Sequence, residues 1–416
     1  MRIAHIIHGW PPESMGGTGM YVAAIANAHA ESGHTTAIIA PESAGPTIQK
    51  ETVNNVEHWV VGTEPIRRWT DTWNGSTDSW LSWCREWNPD VVHIHHLSGW
   101  SLRLIEVTPC RTVLTLHDYA IPCARGQLVR ENLSLCDGPS PAECSDCLGP
   151  ALRTHPALTK VAAMLQPFPL LTTLGRSLIQ QGTSAADSRV IDRVAAANHA
   201  IESADVLLAP SNDLIERMVS LGYRRPQKTA LPLLNQPRPP KPMTDGPVRF
   251  LFASSIIPTK GPQRLIKAFL NLGQHATLTI AGHAPKFDGH PSFAANLRHT
   301  TEGCPNIQWI GAVPSDQIPE LMSNHDVLVL PSIWPENSPL VVREATAAGL
   351  HVIASAIGGT HELAATCTLF HTDVDLQHAL EEAIQVGRMR HARAKWPTPA
   401  EHAQTLVTGT YLQGRA

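Results

Sequence analysis

The chain has no run of 18 or more apolar residues, so a membrane-spanning helix is not expected. It also has no charge excess. With 32 basic side chains against 36 acidic ones the formal net charge is −4, which lacks the electrostatic footprint of a nucleic-acid binder or of strong membrane attraction. The opening MRIAHIIHG carries one arginine and a short apolar run without a secretory cleavage pattern, so a cytoplasmic protein is the expectation. Cysteine is scarce: eight residues in 416 are too few for a disulfide scaffold. Two phosphate signatures are missing. Neither Gly-x-Gly-x-x-Gly nor a P-loop Gly-Lys-Ser/Thr occurs at Gly16, Gly17 and Gly19, which argues against hydride transfer and against a nucleoside triphosphatase.

What is present is an alternation. Short apolar runs at Ile3–Ile7, Thr36–Ala40, Val56–Val61, Val91–Leu97, Thr112–Leu116, Asp205–Ala209 and Thr229–Leu234 alternate with helix-sized stretches. Residues 236–247, QPRPPKPMTDGP, interrupt this pattern with five prolines and read as a linker centred on 238–247. The alternation resumes at Val248–Ala253, Ala276–Ala281, Ile307–Ile310, Val327–Leu330 and His351–Ala354. Such a pattern predicts an α/β protein of two Rossmann-like parallel-sheet domains, 1–237 and 248–396, facing a central cleft. The last helix, within 397–416, has no strand after it and is expected to pack back across the linker.

The densest chemistry lies at Pro331–Gly349, PSIWPENSPLVVREATAAG. A buried strand at 326–330 leads into a polar loop. Asn337 or Ser338 as N-cap, Pro339 as first helical residue and Gly349 at the far end predict a helix. Its N-terminus would present free N–H groups and a positive dipole end at the carboxyl edge of a sheet, where anions bind. Glu336 sits in the loop. Glu344 shares a helix face with Val341, Ala345 and Ala348 and has no cation at i±3 or i±4, so it needs a partner from elsewhere, a ligand hydroxyl being one candidate.

Elsewhere, TLHDY at 115–119 places His117 and Asp118 at a strand's carboxyl edge, for a structural or a functional role. Cys123, Cys136, Cys144 and Cys147 fall within 25 residues, the last two as Cys-x-x-Cys, a spacing able to wrap a structural zinc; free thiols or a disulfide are the alternatives. Trp73, Trp80, Trp83 and Trp87 stand at helical spacings and read as helix packing, with an aromatic sugar platform as the other option. The uncharged stretch Val161–Gly175, broken by Pro167 and Pro169, reads as a buried hairpin. Its flanking Lys160 and Arg176 leave open a peripheral membrane or acceptor contact.

In order along the chain, HGWPPESMGGTGMYV, TLHD, APSNDLIERMVSLGY, SSIIPTKGPQRLIKAF and ENSPLVVREATAAG together resemble the family 4 retaining glycosyltransferases of the GT-B fold. The resemblance implies that Lys260 neutralises the diphosphate of a UDP- or GDP-hexose donor and that Glu344 holds its ribose. Glu336 would lie near the transferred sugar, with backbone at Asn337, Ser338, Pro339 and Leu340 contacting sugar and phosphates. It implies further that His117 meets the sugar from the opposite domain, that Gly17 faces the phosphates or acceptor, and that no catalytic metal is needed. The acceptor would be a glycan, a lipid-linked sugar or a small molecule. One departure stands out: Ser255 occupies a position where many members carry arginine, which shifts diphosphate neutralisation onto Lys260 and the helix terminus. Runner-up readings are an epimerase or phosphorylase on the same fold, and a degenerate sugar-nucleotide-binding protein.

Overall fold

The apolar runs condense into two sheets in the computed structural model, which describes residues 1–9, 16–43, 45–63, 76–140, 143, 144, 147, 183–238, 246–273, 275–285, 287 and 290–413. Trp69, Trp73, the stretch Val161–Gly175 and most of the proline-rich linker lie outside the described residues. The first sheet contains β1 (Arg2–Ile6), β2 (Thr35–Ser43), β3 (Ile48–Val53), β4 (Val56–Thr63), β5 (Val91–Ile94), β6 (Arg111–Thr115), β7 (Val206–Ala209) and β8 (Gln227–Lys228), in the order β3-β4-β2-β1-β5-β6-β7-β8. All neighbours pair in parallel except β3 with β4. The second contains β9 (Val248–Ala253), β10 (Ala276–Ala281), β11 (Ile307–Gly311), β12 (Val327–Leu330), β13 (His351–Ser355) and β14 (Thr368–Phe370), all parallel, in the order β11-β10-β9-β12-β13-β14.

Helices cover the sheets, as buried parallel strands demand. They include α1 (Gly17–Glu31), α2 (Asp78–Trp87), α3 (Leu104–Val107), α4 (Thr183–Ser203) and α5 (Asn212–Ser220) in the first half. The second half has α6 (Pro262–Leu270), α7 (Phe293–Thr300), α8 (Ile318–Ser323), α9 (Leu340–Ala348), α10 (Asp373–Val386) and α11 (Pro399–Leu406). Among the described residues no helix is long and apolar enough to cross a membrane. Helix α11 crosses back onto α1, where His402 and the Tyr21 hydroxyl lie 2.8 Å apart. A capping box at Thr398 and Glu401 starts it, satisfying two otherwise orphaned donors.

Two expectations change, and one pair of alternatives is decided. Residues Thr229–Leu234 form no strand: Pro232 cannot donate to a ladder, and Leu231 and Leu233 bury instead while the Leu233 N–H donates to the Pro397 carbonyl at 2.8 Å. Trp80, Trp83, Trp87 and Trp100 are core, in line with the helix-packing reading and not with a sugar platform. Trp80, Trp83 and Trp87 bury on one face of α2, their rings stacked at 5.3 and 5.0 Å, and Trp100 is buried beside them. Helix α9 begins one residue later than the sequence suggests. Pro339, with φ −66° and ψ 116°, is its extended N-cap, and no side chain caps the helix.

Candidate active site

The carboxyl ends of the two sheets enclose a cleft of about 390 Å³. From the first sheet come the α1 N-terminus at Gly17 and, after β6, His117 and Asp118; from the second come Ser255, His283 and the β12–α9 loop. Helices α1 and α9 point their N-termini into this space from opposite sides. Neither has a side-chain cap or an acidic residue in its first turn, so their N–H groups and dipole ends stay available to an anion. The two termini nearly touch: a Cβ added at Gly17 would lie 3.3 Å from Leu340 Cδ1.

Lys260 is the cation beside them. Its Nζ donates to Glu336 Oε1 at 2.7 Å and lies 4.7 Å from the centre of the Trp334 ring. Glu336 is 2% exposed and also accepts from the Ser332 hydroxyl, so this carboxylate is paired and hydrogen-bonded as burial requires. Gly261, next to Lys260, has φ +73°, and a Cβ there would sit 1.9 Å from the Pro331 carbonyl oxygen. That close approach of backbone to backbone holds the lysine against the loop carrying Glu336. The site residues Lys260 and Glu336, assigned to separate parts of a ligand from the sequence, are thus a contacting pair.

Glu344 lines the same cleft one turn further along α9. It has a protein partner after all: Asn235 Nδ2 donates to its Oε1 at 3.0 Å and to the Ser315 hydroxyl at the same distance. Burial pushes the carboxyl up to about 7, with the Asn235 hydrogen bond pulling the other way. Ser338 does not cap the helix; its hydroxyl accepts from Arg343 Nη2 at 2.7 Å. Asn337 reaches across the cleft, its Nδ2 donating to the His117 carbonyl at 2.8 Å. Ser255 lies 3.4 Å from His283 Nε2 and lines the cleft.

The sequence reading missed Asn235, His283 and Trp334. Asn235 falls where a strand was expected to run into the linker, with no local signal of a contact to α9. Trp334 was within reach, standing two residues before Glu336 in the same motif.

The four cysteines Cys123, Cys136, Cys144 and Cys147 line one small cavity of about 40 Å³ with Arg125, Arg130 and Glu143. Burial, first, and the neighbouring thiols raise the pKa of Cys136, Cys144 and Cys147, that of Cys144 to about 11. The thiols are free, which removes the disulfide reading for this structure. Among the described residues, the group whose donor atoms all lie within 4.8 Å of one another is instead His5, His93 and His95, in the core of the first sheet.

Comparison with known proteins agrees in both halves. The family model of glycosyl transferases group 1 matches residues 236–386, and that of glycosyltransferase family 4 matches residues 15–133. A Bacillus subtilis (strain 168) protein named as the glycosyltransferase YtcC is 38% identical over 120 residues, 27% of this chain, and the chain spans 29% of that relative's length. In structure the chain is similar to sucrose-phosphate synthase of Thermosynechococcus elongatus, with a TM-score of 0.64 at 16% identity over 99% of this chain and 94% of that one. It is also similar to Anabaena HepE in complex with UDP-glucose, with a TM-score of 0.58 at 14% identity over 99% and 95% of the two chains. These distant likenesses speak to the fold. The two matched models place the chain in the family 4, group 1 glycosyltransferases, and the likenesses show the GT-B fold on which it is built.

Proposed function

We propose that this protein transfers a hexosyl unit from a nucleoside-diphosphate sugar to an acceptor hydroxyl with retention of anomeric configuration. The observation that carries the reading is the convergence of two uncapped helix N-termini and Lys260 on one cleft. Departure of a nucleoside diphosphate builds negative charge on the leaving oxygens, and preformed dipoles with one ammonium stabilise it without a metal. Lys260 would exchange part of its contact with Glu336 for the diphosphate. Glu344 would accept from the ribose hydroxyls, and the α9 N-terminus at Asn337–Leu340 would hold the phosphates and sugar. Gly17 leaves room for the donor under α1. His117, and Ser255 beside His283, would contact the donor from the two sides of the cleft. Anabaena HepE, of the same fold, has been solved with UDP-glucose. For this chain UDP- and GDP-hexoses are the donors to test first.

A melting-temperature screen with UDP, GDP, ADP and their hexoses tests the donor half alone. A ligand at about 100 times its Kd should stabilise the fold by about 2.7 kcal/mol. One base should stand out, and the effect should require Glu344. No shift with any nucleoside diphosphate at millimolar concentration would sink the proposal. Turnover products then separate the alternatives: sugar interconversion would point to an epimerase, and binding without release of diphosphate to a binding protein.

We further propose that the four cysteines hold one structural zinc. Four thiolates would sit about 2.3 Å from the ion, which requires their loop to close further around the cavity. A cation would also reverse the burial penalty that keeps Cys136, Cys144 and Cys147 protonated. Elemental analysis of protein purified without chelators should give about one zinc per chain, and Cys144→Ser should lower it. Less than about 0.2 per chain in the wild type would end the assignment.

A further inference from the structure

The face of the first sheet that packs under α1 and the returning α11 carries imidazoles where aliphatic side chains would cost less. His5 on β1 is the register partner of His93 on β5. His95 extends β5 by one step, its N–H donating to the Ile6 carbonyl at 2.9 Å, and the two-residue period keeps it on the face of His93. His5, His29, His93 and His95 are all buried.

Three of these rings, His95, His5 and His29, join head to tail with His117. His117 Nε2 lies 3.2 Å from His95 Nδ1, His95 Nε2 lies 3.1 Å from His5 Nδ1, and His5 Nε2 lies 3.3 Å from His29 Nδ1. Every contact joins the Nε2 of one ring to the Nδ1 of the next. Burial lowers the pKa of all four, His117 and His29 to about 3, so each ring is neutral and carries one proton. In a row of neutral imidazoles joined this way, one choice of direction fixes every tautomer.

The far end makes that choice. His29 Nε2 makes no well-formed hydrogen bond, but the Ala403 backbone carbonyl on α11 favours a proton on the ring over a bare lone pair, and with Nδ1 turned to His5 that proton belongs on Nε2. His29 Nδ1 then accepts from His5, His5 Nδ1 from His95, and His95 Nδ1 from the Nε2–H of His117. Resting on the glycosyl-transfer reading above, we propose that His29, His5 and His95 are positioning residues that lock His117 as the Nε2–H tautomer, so that its Nδ1 meets a substrate hydroxyl in the cleft as an acceptor. A metal ion on His5, His93 and His95 is the competing reading. It is disfavoured because His93 already has its Nδ1 and Nε2 each 2.7 Å from a hydroxyl, of Tyr411 and Thr115, and because among the described residues no carboxylate or thiol joins the three imidazoles.

Nitrogen-15 NMR of histidine-labelled protein tests this directly, with resonances assigned through single substitutions. In the wild type, His117, His95 and His5 should all be Nε2–H from pH 6 to 8. In His95→Leu, His117 should become a mixture of tautomers and turnover should fall about tenfold or more, while Kd for the nucleoside diphosphate, which the second domain holds, stays within about twofold. His95→Asn, whose amide oxygen stands where Nδ1 stood, should restore the tautomer and most of the turnover. A wild-type His117 protonated on Nδ1, an unchanged tautomer in His95→Leu, or one equivalent of metal removable from the wild type at unchanged cysteine occupancy would overturn the proposal. If the wild type turns over no sugar nucleotide, the glycosyl-transfer reading fails, yet the tautomer measurement still decides the locking. If His95→Leu does not fold, the wild-type tautomers and His95→Asn decide it.

Discussion

Replacing Lys260 by alanine should lower turnover by about 100-fold, the scale of removing one stabiliser of transition-state charge, and should also destabilise the fold. The two effects have different origins. Turnover falls because the diphosphate loses the ammonium that lines the cleft. Stability falls because Glu336, 2% exposed, is left without its 2.7 Å partner. Breaking a buried pair this way costs about 3–5 kcal/mol, and less here because Lys260 is partly open to the cleft. A double variant separates them. Lys260→Ala with Glu336→Gln should recover most of the stability in a denaturant titration while its turnover stays low. If the single variant matches the wild type in rate, the diphosphate sits elsewhere. If it matches in stability, the pair contributes nothing to the fold.

The second large effect concerns Glu344, whose carboxyl burial raises from its ordinary 4.5 to about 7. Between these values the folded chain holds a proton that the unfolded chain has lost, so stability falls as pH rises from about 4.5 to about 7 and stays lower above. Glu344→Gln removes that loss. The variant should therefore be more stable than the wild type at pH 8, by about 1–3 kcal/mol, and the difference should disappear near pH 4.5. Nucleotide binding should move the other way. Losing the charged acceptor for the ribose hydroxyls should weaken binding by about 1–3 kcal/mol. Unchanged Kd in Glu344→Gln and Glu344→Ala would remove the ribose assignment; a variant less stable than wild type at pH 8 would show that the fold favours the Glu344 carboxylate and does not raise its pKa.

Parallel strands were legible because each central strand is buried on both faces and so reads as an unbroken apolar run. Strands whose burial is partial were not. IQKETV of β3 is exposed along its length at the sheet edge, and the three residues of β14 are too short to show a period. The glutamate segment was legible because strand, loop and helix start follow one another locally. Its partners were not, since Asn235 reaches Glu344 only through the packing of two halves, and Lys260 reaches Glu336 only through the meeting of two loops at the carboxyl edge of the second sheet. The histidine row illustrates the same limit. His93 and His95 share a strand face by sequence, but that His5 lies beside them and His29 above follows from sheet order and from α1 packing.

The central claim is glycosyl transfer from a nucleoside-diphosphate sugar, and release of the free diphosphate measures it. Wild-type protein incubated with a panel of UDP- and GDP-hexoses should release the matching nucleoside diphosphate from at least one of them, by transfer or slow hydrolysis, at a rate that falls at least tenfold in Lys260→Ala. Release at equal rates by the wild type and Lys260→Ala, or no release from any donor that the wild type demonstrably binds, would contradict it.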